Sequence, residues 1–135
     1  MKHLFCFFLT FALVALANIS DANAQQVNAK IQEVLSDKTE EVLANDPARL
    51  AFYNDIIEKR TQVMEVPMHE KEVYVKLSTI PLLNKYNPNL SRDVVFDPLN
   101  FNPLKYSFSF SSTKTEIYRV DNTDYLILIK PQTFK

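Results

Sequence analysis

The chain has 135 residues, with 15 Lys and Arg against 16 Asp and Glu, so its formal net charge is −1. This length predicts one domain, and the balanced charge argues against a surface that binds nucleic acid or an anionic membrane. Glycine is absent, which excludes phosphate-binding loops, dinucleotide fingerprints, nucleophile elbows and EF-hand loops, because each of them needs glycine. The single cysteine, Cys6, excludes an intramolecular disulfide and a cysteine-based zinc site.

Residues 1–24 have the pattern of a secretory signal peptide. Lys2 and His3 form a short basic start, residues 4–17 are uncharged and largely apolar, and Ala22-Asn23-Ala24 offers the small side chains that signal peptidase needs. The apolar run is shorter than the roughly 20 residues of a membrane-spanning helix. We therefore expect cleavage after Ala24, no membrane span after cleavage, and an exported protein that is periplasmic or secreted.

Residues 25–135 are expected to form a single α+β domain that changes character near Pro67. Residues 25–66 contain one proline and repeat apolar side chains at helical spacing. Asp46 and Pro47 divide this part, because an aspartate suits the N-cap of a helix and a proline suits its first position. We predict a helical hairpin packed on an antiparallel sheet of three or four strands.

The sheet is predicted within residues 67–135. Apolar and polar residues alternate over 73–77 and over 106–111, and residues 115–120 are β-branched and aromatic. Asn122 is the best candidate for a left-handed turn residue between this segment and 125–129, because asparagine tolerates that conformation. The last three segments are expected to form an antiparallel meander, and both faces of 125–129 are apolar, which predicts cover on both sides.

Between the predicted strands lies a proline-rich stretch, residues 79–104, which we call the strap. Its apolar content predicts an ordered cover over the sheet rather than a linker. Leu82, Leu83 and Phe101 are expected to point inward. Four side chains in or next to the strap are expected to point outward and to contact a protein partner of the cell envelope: Tyr86, Lys85, Arg92 and Lys105.

No catalytic, cofactor-binding or metal-binding residue is assigned from the sequence. His69 is the one histidine after residue 24, and no recognisable motif surrounds it. Two pairs of aspartates, Asp93 with Asp97 and Asp121 with Asp124, have the composition of a glycosidase pair. Aspartates beside strands and turns more often cap backbone N–H groups.

Three blocks carry a resemblance to known proteins: residues 81–88 (PLLNKYNP), 101–106 (FNPLKY) and 118–125 (YRVDNTDY). This half of the chain resembles small exported bacterial proteins with no assigned activity. The resemblance implies export and a compact domain, and it brings no catalytic residues.

The sequence therefore predicts a small exported, non-enzymatic protein that acts through protein–protein contact. Two alternatives stay open: a small hydrolase that uses Asp or Glu, and a carrier of a small apolar ligand. An enzyme would show carboxylates that converge in a pocket. A carrier would show an apolar cavity between strap and sheet. An interaction protein would show an exposed apolar patch or a free sheet edge.

Overall fold

The computed structural model describes residues 21–67 and 73–133. These residues form an α+β fold, as the sequence predicts, in which a four-stranded sheet follows three helices. Residues 1–20 of the predicted signal peptide and His69 lie outside the described residues. None of the described helices is both long and apolar enough to span a bilayer. The elements in chain order are α1 (21–35), α2 (Thr39–Asn45), α3 (Pro47–Asp55), β1 (Thr61–Glu65), β2 (Val75–Lys76), β3 (Glu116–Arg119) and β4 (Tyr125–Ile129).

The predicted start of α3 is confirmed. An Asp46 carboxylate oxygen accepts the backbone N–H of Arg49 at 3.2 Å, and Pro47 occupies the first turn. The left-handed conformation predicted for Asn122 is also confirmed, at φ 56°. Ser36 has a positive φ as well, 53°, at the end of α1. The hairpin of two helices is not confirmed, because the helical residues divide into three helices.

The prediction that residues 25–66 are entirely helical is wrong at its end. A π-helical turn, Ile56–Arg60, closes α3, and Thr61–Glu65 then form β1, which pairs with β4. Val63 lies opposite Ile127 in that pairing, so the segment gains an apolar neighbour from the sheet. This tertiary pairing overrides the helical spacing of apolar residues at the end of the segment 25–66.

The sheet is mixed rather than antiparallel. Its strand order is β1-β4-β3-β2, with β4 antiparallel to both neighbours and β2 parallel to β3. Parallel pairing needs a long crossover, and the strap and the residues after it provide one between β2 and β3. The predicted strand 73–77 shrinks to two residues at the edge of the sheet, where Val73 and Val75 are exposed and Leu77 is buried.

Residues 106–111 do not form the predicted strand, although their side chains alternate between buried and exposed positions. Tyr106 and Phe108 are buried, while Ser107 and Ser109 are exposed. The N–H of Phe108 donates to the Tyr106 carbonyl, and the N–H of Phe110 donates to the Phe108 carbonyl, both at 2.9 Å. These bonds join residues two apart, as in γ-turns. Such a repeat places alternate side chains on one face, as a strand does, without pairing to the sheet.

Two buried clusters make up the core. The first lies between the sheet and the strap and contains Phe101, Tyr106, Phe108, Tyr118 and Ile127 among its members. The second gathers apolar residues of α1 and α3 around Leu104, and Phe110 packs against both clusters. The inward orientation predicted for Leu82 and Phe101 is confirmed. That predicted for Leu83 is wrong, because this side chain is 38% exposed.

The opposite face of β4 is covered less completely. Leu126 is buried and Leu128 is half-buried, and Ile117 on β3 is also half-buried. Met64, which pairs with Leu126 from β1, is 39% exposed. The apolar side chains on this face are therefore shielded unevenly along the strand.

Replacing Ile127 with alanine tests the position of the first cluster. Ile127 is fully buried on the central strand, so Ile127→Ala is expected to lower the free energy of unfolding by about 2–5 kcal/mol. Val94→Ala is the control, since Val94 is fully exposed and its truncation is expected to change stability by less than about 0.5 kcal/mol. Urea unfolding of both variants measures the difference, and equal midpoints would contradict this account of the core.

Candidate protein-contact site

Tyr86 lies in the strap beside the start of α3. Its hydroxyl accepts a hydrogen bond from Nη1 of Arg49 at 3.1 Å, and Nζ of Lys85 lies 5.2 Å from its ring centroid. The next residue, Asn87, donates from its side-chain amide to the backbone carbonyl of Glu33 at 2.8 Å. This segment of the strap is thus fixed to both α1 and α3, and two cations flank the tyrosine ring.

An apolar cleft of about 240 Å³ opens next to this tyrosine. Its lining comes from α1, α3 and the strap: Val34, Phe52, Tyr53, Leu83, Lys85, Tyr86, Leu104 and Phe110. Phe52 and Phe110 meet edge to face, with ring centroids 6.4 Å apart. The exposed Leu83 forms one wall, so a hydrophobic side chain that the core does not cover faces an apolar recess.

Two cations, Lys85 and Arg49, lie beside Tyr86 at the edge of the cleft. The Arg49 hydrogen bond holds the pKa of the Tyr86 hydroxyl below its ordinary value, and Lys85 acts in the same direction. Burial raises the pKa of Tyr53, so that phenol stays neutral on the inner wall. Asp46 forms an ion pair with Arg49 at 3.3 Å and partly offsets the charge of this arginine. The cleft therefore combines a neutral aromatic interior with a basic edge.

Arg92 lies on a different part of the surface. Its guanidinium donates hydrogen bonds to the backbone carbonyls of Leu77 and Ile80 and stands 5.6 Å from the Tyr106 ring centroid. These contacts tie the strap to the end of β2, so the structure does not bring Arg92 together with Tyr86 and Lys85. We assign it a role in holding the strap.

Lys105 points inward, contrary to the outward orientation expected from the sequence. Its side chain is 3% exposed, and its ammonium lies 2.6 Å from Asp93 and 3.1 Å from Glu33. Burial alone would lower the pKa of Lys105, but the hydrogen bonds to these two carboxylates outweigh it and raise the pKa above its ordinary value. The lysine is expected to stay charged and to join α1 to the strap.

Three of the four aspartates in the predicted pairs make structural contacts. Asp97 accepts the backbone N–H of Leu99 at 3.0 Å and the side-chain amide of Asn100 at 2.6 Å. Asp121 accepts the backbone N–H and the hydroxyl of Ser78 at 3.0 and 2.7 Å. Asp93 pairs with Lys105. Within residues 21–67 and 73–133, no three His, Cys, Asp or Glu side chains lie close enough together to hold a metal ion.

The sequence reasoning missed Arg49, Phe52 and Tyr53 as members of the site. A signal for them exists, because Phe52 and Tyr53 follow Arg49 by three and four residues and therefore share its helix face. Nothing in the sequence shows that this face meets residues 83–86, since that contact joins segments more than 30 residues apart in the chain.

Comparison of the chain with protein-family models, with curated proteins and with solved structures found no match.

Replacing Lys105 with methionine tests its inward role. The variant Lys105→Met keeps the length of the side chain but leaves Asp93 and Glu33 facing each other without a cation. We expect a loss of about 1–3 kcal/mol, below the 3–5 kcal/mol typical of a fully buried pair, because both carboxylates are over one-third exposed. Lys114→Met, at an exposed lysine, is the control, and equal melting temperatures for the two variants would show that Lys105 does not hold the strap.

The contribution of Lys105 should also depend on pH in a defined direction. A lysine whose pKa is raised by folding stabilises the folded state fully below its unfolded pKa, and this stabilisation is lost as the pH rises through the folded value. The stability difference between the parent chain and Lys105→Met should therefore persist at neutral and mildly alkaline pH and shrink only in strong alkali. A difference that disappears near neutral pH would contradict a charged Lys105.

Proposed function

We propose that the chain is a small exported, non-enzymatic protein that binds a partner protein of the cell envelope or the extracellular space. The cleft beside Tyr86 is the proposed contact site. The observation that carries the proposal is an apolar, aromatic-walled recess with cations at its edge, built on residues fixed by hydrogen bonds to two helices.

The shape and chemistry of the cleft select one kind of occupant. A cavity of about 150 Å³ admits benzene, so a cleft of about 240 Å³ has room for one large apolar side chain of a partner. Lys85 and Arg49 favour acidic residues next to that side chain. A buried apolar anchor surrounded by complementary charges is the usual arrangement of a binding hot spot.

The two alternative functions have less support. A hydrolase needs carboxylates free to meet a substrate, whereas Asp93, Asp97 and Asp121 accept structural hydrogen bonds. A carrier of an apolar ligand needs an apolar cavity between strap and sheet. Phe101 and Tyr106 fill the centre of that region, and the cleft of about 540 Å³ that remains between α1, β1 and the strap has more polar than apolar surface. We therefore rank protein contact first.

Site-specific photo-crosslinking tests the contact site. The cross-linking amino acid p-benzoylphenylalanine is placed at Leu83, on the wall of the cleft, and at Val94, a fully exposed control position. In cells that produce the protein, a defined cross-link is expected from Leu83 only. The partner peptide at the cross-link should carry an aromatic or large aliphatic residue beside Asp or Glu. Cross-links from both positions alike, or a peptide without acidic residues, would contradict the proposal.

Charge reversal tests whether the basic edge of the cleft contributes to partner binding independently of the stability of the fold. Lys85→Glu is expected to weaken binding of the cross-linked partner on the order of tenfold, because it places a like charge against an acidic segment. Lys114→Glu makes the same change at another exposed lysine and should leave affinity and melting temperature unchanged. Binding that tolerates Lys85→Glu would mean that charge plays no part in partner choice.

Export rests on the signal-peptide pattern and has a direct test. The intact mass of the protein recovered from the periplasm or the medium should correspond to a chain from Gln25 to Lys135. Recovery from the membrane fraction of a chain that still begins at Met1 or Lys2 would overturn cleavage after Ala24.

A further inference from the structure

The outer edge of β1 presents free backbone groups. β1 lies at one end of the strand order, and β4 is its one neighbour among the described strands. The Arg60 carbonyl accepts the N–H of Lys130 at 2.8 Å, and the N–H of Val66 donates to the Asp124 carbonyl at 2.7 Å. Because the backbone groups of successive residues in a strand point to opposite sides, the even-numbered residues of β1 face β4 and the odd-numbered residues face outward.

Val63 and Glu65 are the residues that present both an N–H and a carbonyl group at this edge. Within residues 21–67 and 73–133, none of these four groups takes part in a hydrogen bond. The N–H of Thr61, the third outward-facing residue, donates to the Ile56 carbonyl instead. The side chains of Met64 and Glu65 are exposed, so water reaches this part of the strand.

β1 lacks most of the features that protect an edge strand from pairing. Its five residues pair with β4 in one continuous register, so the strand contains no bulge, and it contains no proline. Its one charged side chain, Glu65, lies at its end. Folded proteins usually shorten, twist or cover such an edge, as in β2 at the other side of this sheet, which has two residues only.

The cleft of about 540 Å³ adjoins the face of β1 that carries Val63. Val63 and Thr61 line it together with Val27 of α1 and with Leu99 and Phe101 of the strap. In a strand added to β1, the side chain opposite Val63 lies on the same face of the sheet as Val63 itself. That side chain would enter the cleft, so the free edge and the cleft can bind one extended segment together.

The charges along β1 favour a basic segment. Glu65 at the end of the strand and Glu58 in the lining of the cleft are both exposed, and neither forms an ion pair within the described residues. Lys30 is the one cation in the lining, and the negative charges of Glu33 and Asp97 act on it. A Lys or Arg of a partner would therefore meet two unpaired carboxylates.

A second copy of this chain fits the edge less well. Pairing of two β1 strands would join five residues of each copy, whereas a stable interface uses about 20–30 residues a side. In an antiparallel pair centred on Val63, Glu65 would lie opposite Thr61 of the other copy, so no cation would meet its carboxylate. The observations favour a different protein as the occupant.

We propose that β1 binds an extended, basic segment of another protein by strand addition, with a Lys or Arg opposite Glu65. The segment would pair with the backbone of Val63 and Glu65 and place a second basic side chain opposite Thr61, in the cleft that Glu58 also lines. Main-chain hydrogen bonds supply affinity in this mode of recognition, and alternate side chains supply specificity. The site shares no residue with the cleft beside Tyr86 and does not depend on the function proposed above.

Amide hydrogen exchange in the full chain tests the free edge without any partner. The N–H groups of Val63 and Glu65 are expected to exchange about tenfold faster or more than those of Gln62 and Met64, which face β4, because unbonded amides need no opening of the sheet to exchange. Equal protection of all four amides would overturn the proposal.

Titration with the heptapeptide acetyl-TKTVTKT-amide tests strand addition. This peptide places Lys, Val and Lys on one face and Thr on the other. Saturable amide shifts are expected in residues 26–30, 58–65 and 98–101, and saturation should slow hydrogen exchange at the two edge amides. The acidic peptide acetyl-TETVTET-amide should bind severalfold more weakly. No saturable shifts, equal binding of both peptides, or shifts confined to residues 83–86 would contradict the assignment.

Two variants of Glu65 separate its charge from its backbone N–H. Glu65→Gln should weaken binding of the basic peptide about two- to fivefold, the effect expected for one cross-strand charge pair. Glu65→Pro also removes the outward N–H and should weaken binding further. Its melting temperature should stay close to that of Glu65→Gln, because proline is tolerated on an edge strand where the N–H faces solvent.

Glu40→Gln is the matched control, since Glu40 is an exposed glutamate of α2, and it should leave peptide affinity unchanged. Equal affinities of Glu65→Gln and Glu65→Pro would show that the peptide does not pair with this backbone. A large fall in melting temperature in Glu65→Pro alone would mean that its N–H is bonded in the free chain, which contradicts a free edge. Lys85→Glu should not change peptide binding, so this test stands apart from that of the cleft beside Tyr86.

Discussion

Lys105 joins the helical part of the chain to the strap through a single buried charge. Its ammonium lies between Glu33 of α1 and Asp93 of the strap, and Asn102 adds hydrogen bonds from its amide to the Lys30 carbonyl and to Glu33. A buried cation without partners is strongly unfavourable, so these contacts restrict where α1 can lie. The cleft beside Tyr86 has α1 as one wall, so its shape depends on this junction.

Aromatic contacts explain how a long irregular segment is ordered in a chain without glycine. Ring centroids lie 5.2 Å apart between Phe96 and Phe101, 5.6 Å between Phe101 and Tyr106, and 4.6 Å between Phe108 and Tyr118. These pairs lead from the strap to the sheet without interruption by a polar layer. Large rings bury much surface for few rotatable bonds, which offsets the entropy lost when the strap is fixed.

Local rules in the sequence were sufficient where neighbours in the chain determine the structure. The Asp46 cap and the left-handed Asn122 depend on backbone geometry within a few residues, and both are confirmed. The local rules were insufficient where contacts between distant segments of the chain determine the structure. Residues 61–65 become a strand because β4 offers a pairing edge, and Lys105 turns inward because two carboxylates, 72 and 12 residues away in the chain, converge on it. The cleft beside Tyr86 depends on such distant contacts, so the sequence could not predict it.

The first described turn of α1 bears on the order of processing and folding. Residues 21–24 are helical, and they include the Ala22-Asn23-Ala24 segment after which we propose cleavage. A peptidase must reach an unwound peptide bond, so a chain that has completed this helix hides the bond from it. The proposed cleavage after Ala24 therefore requires that the enzyme acts before this helix forms, so processing would set an upper limit on how early α1 can fold.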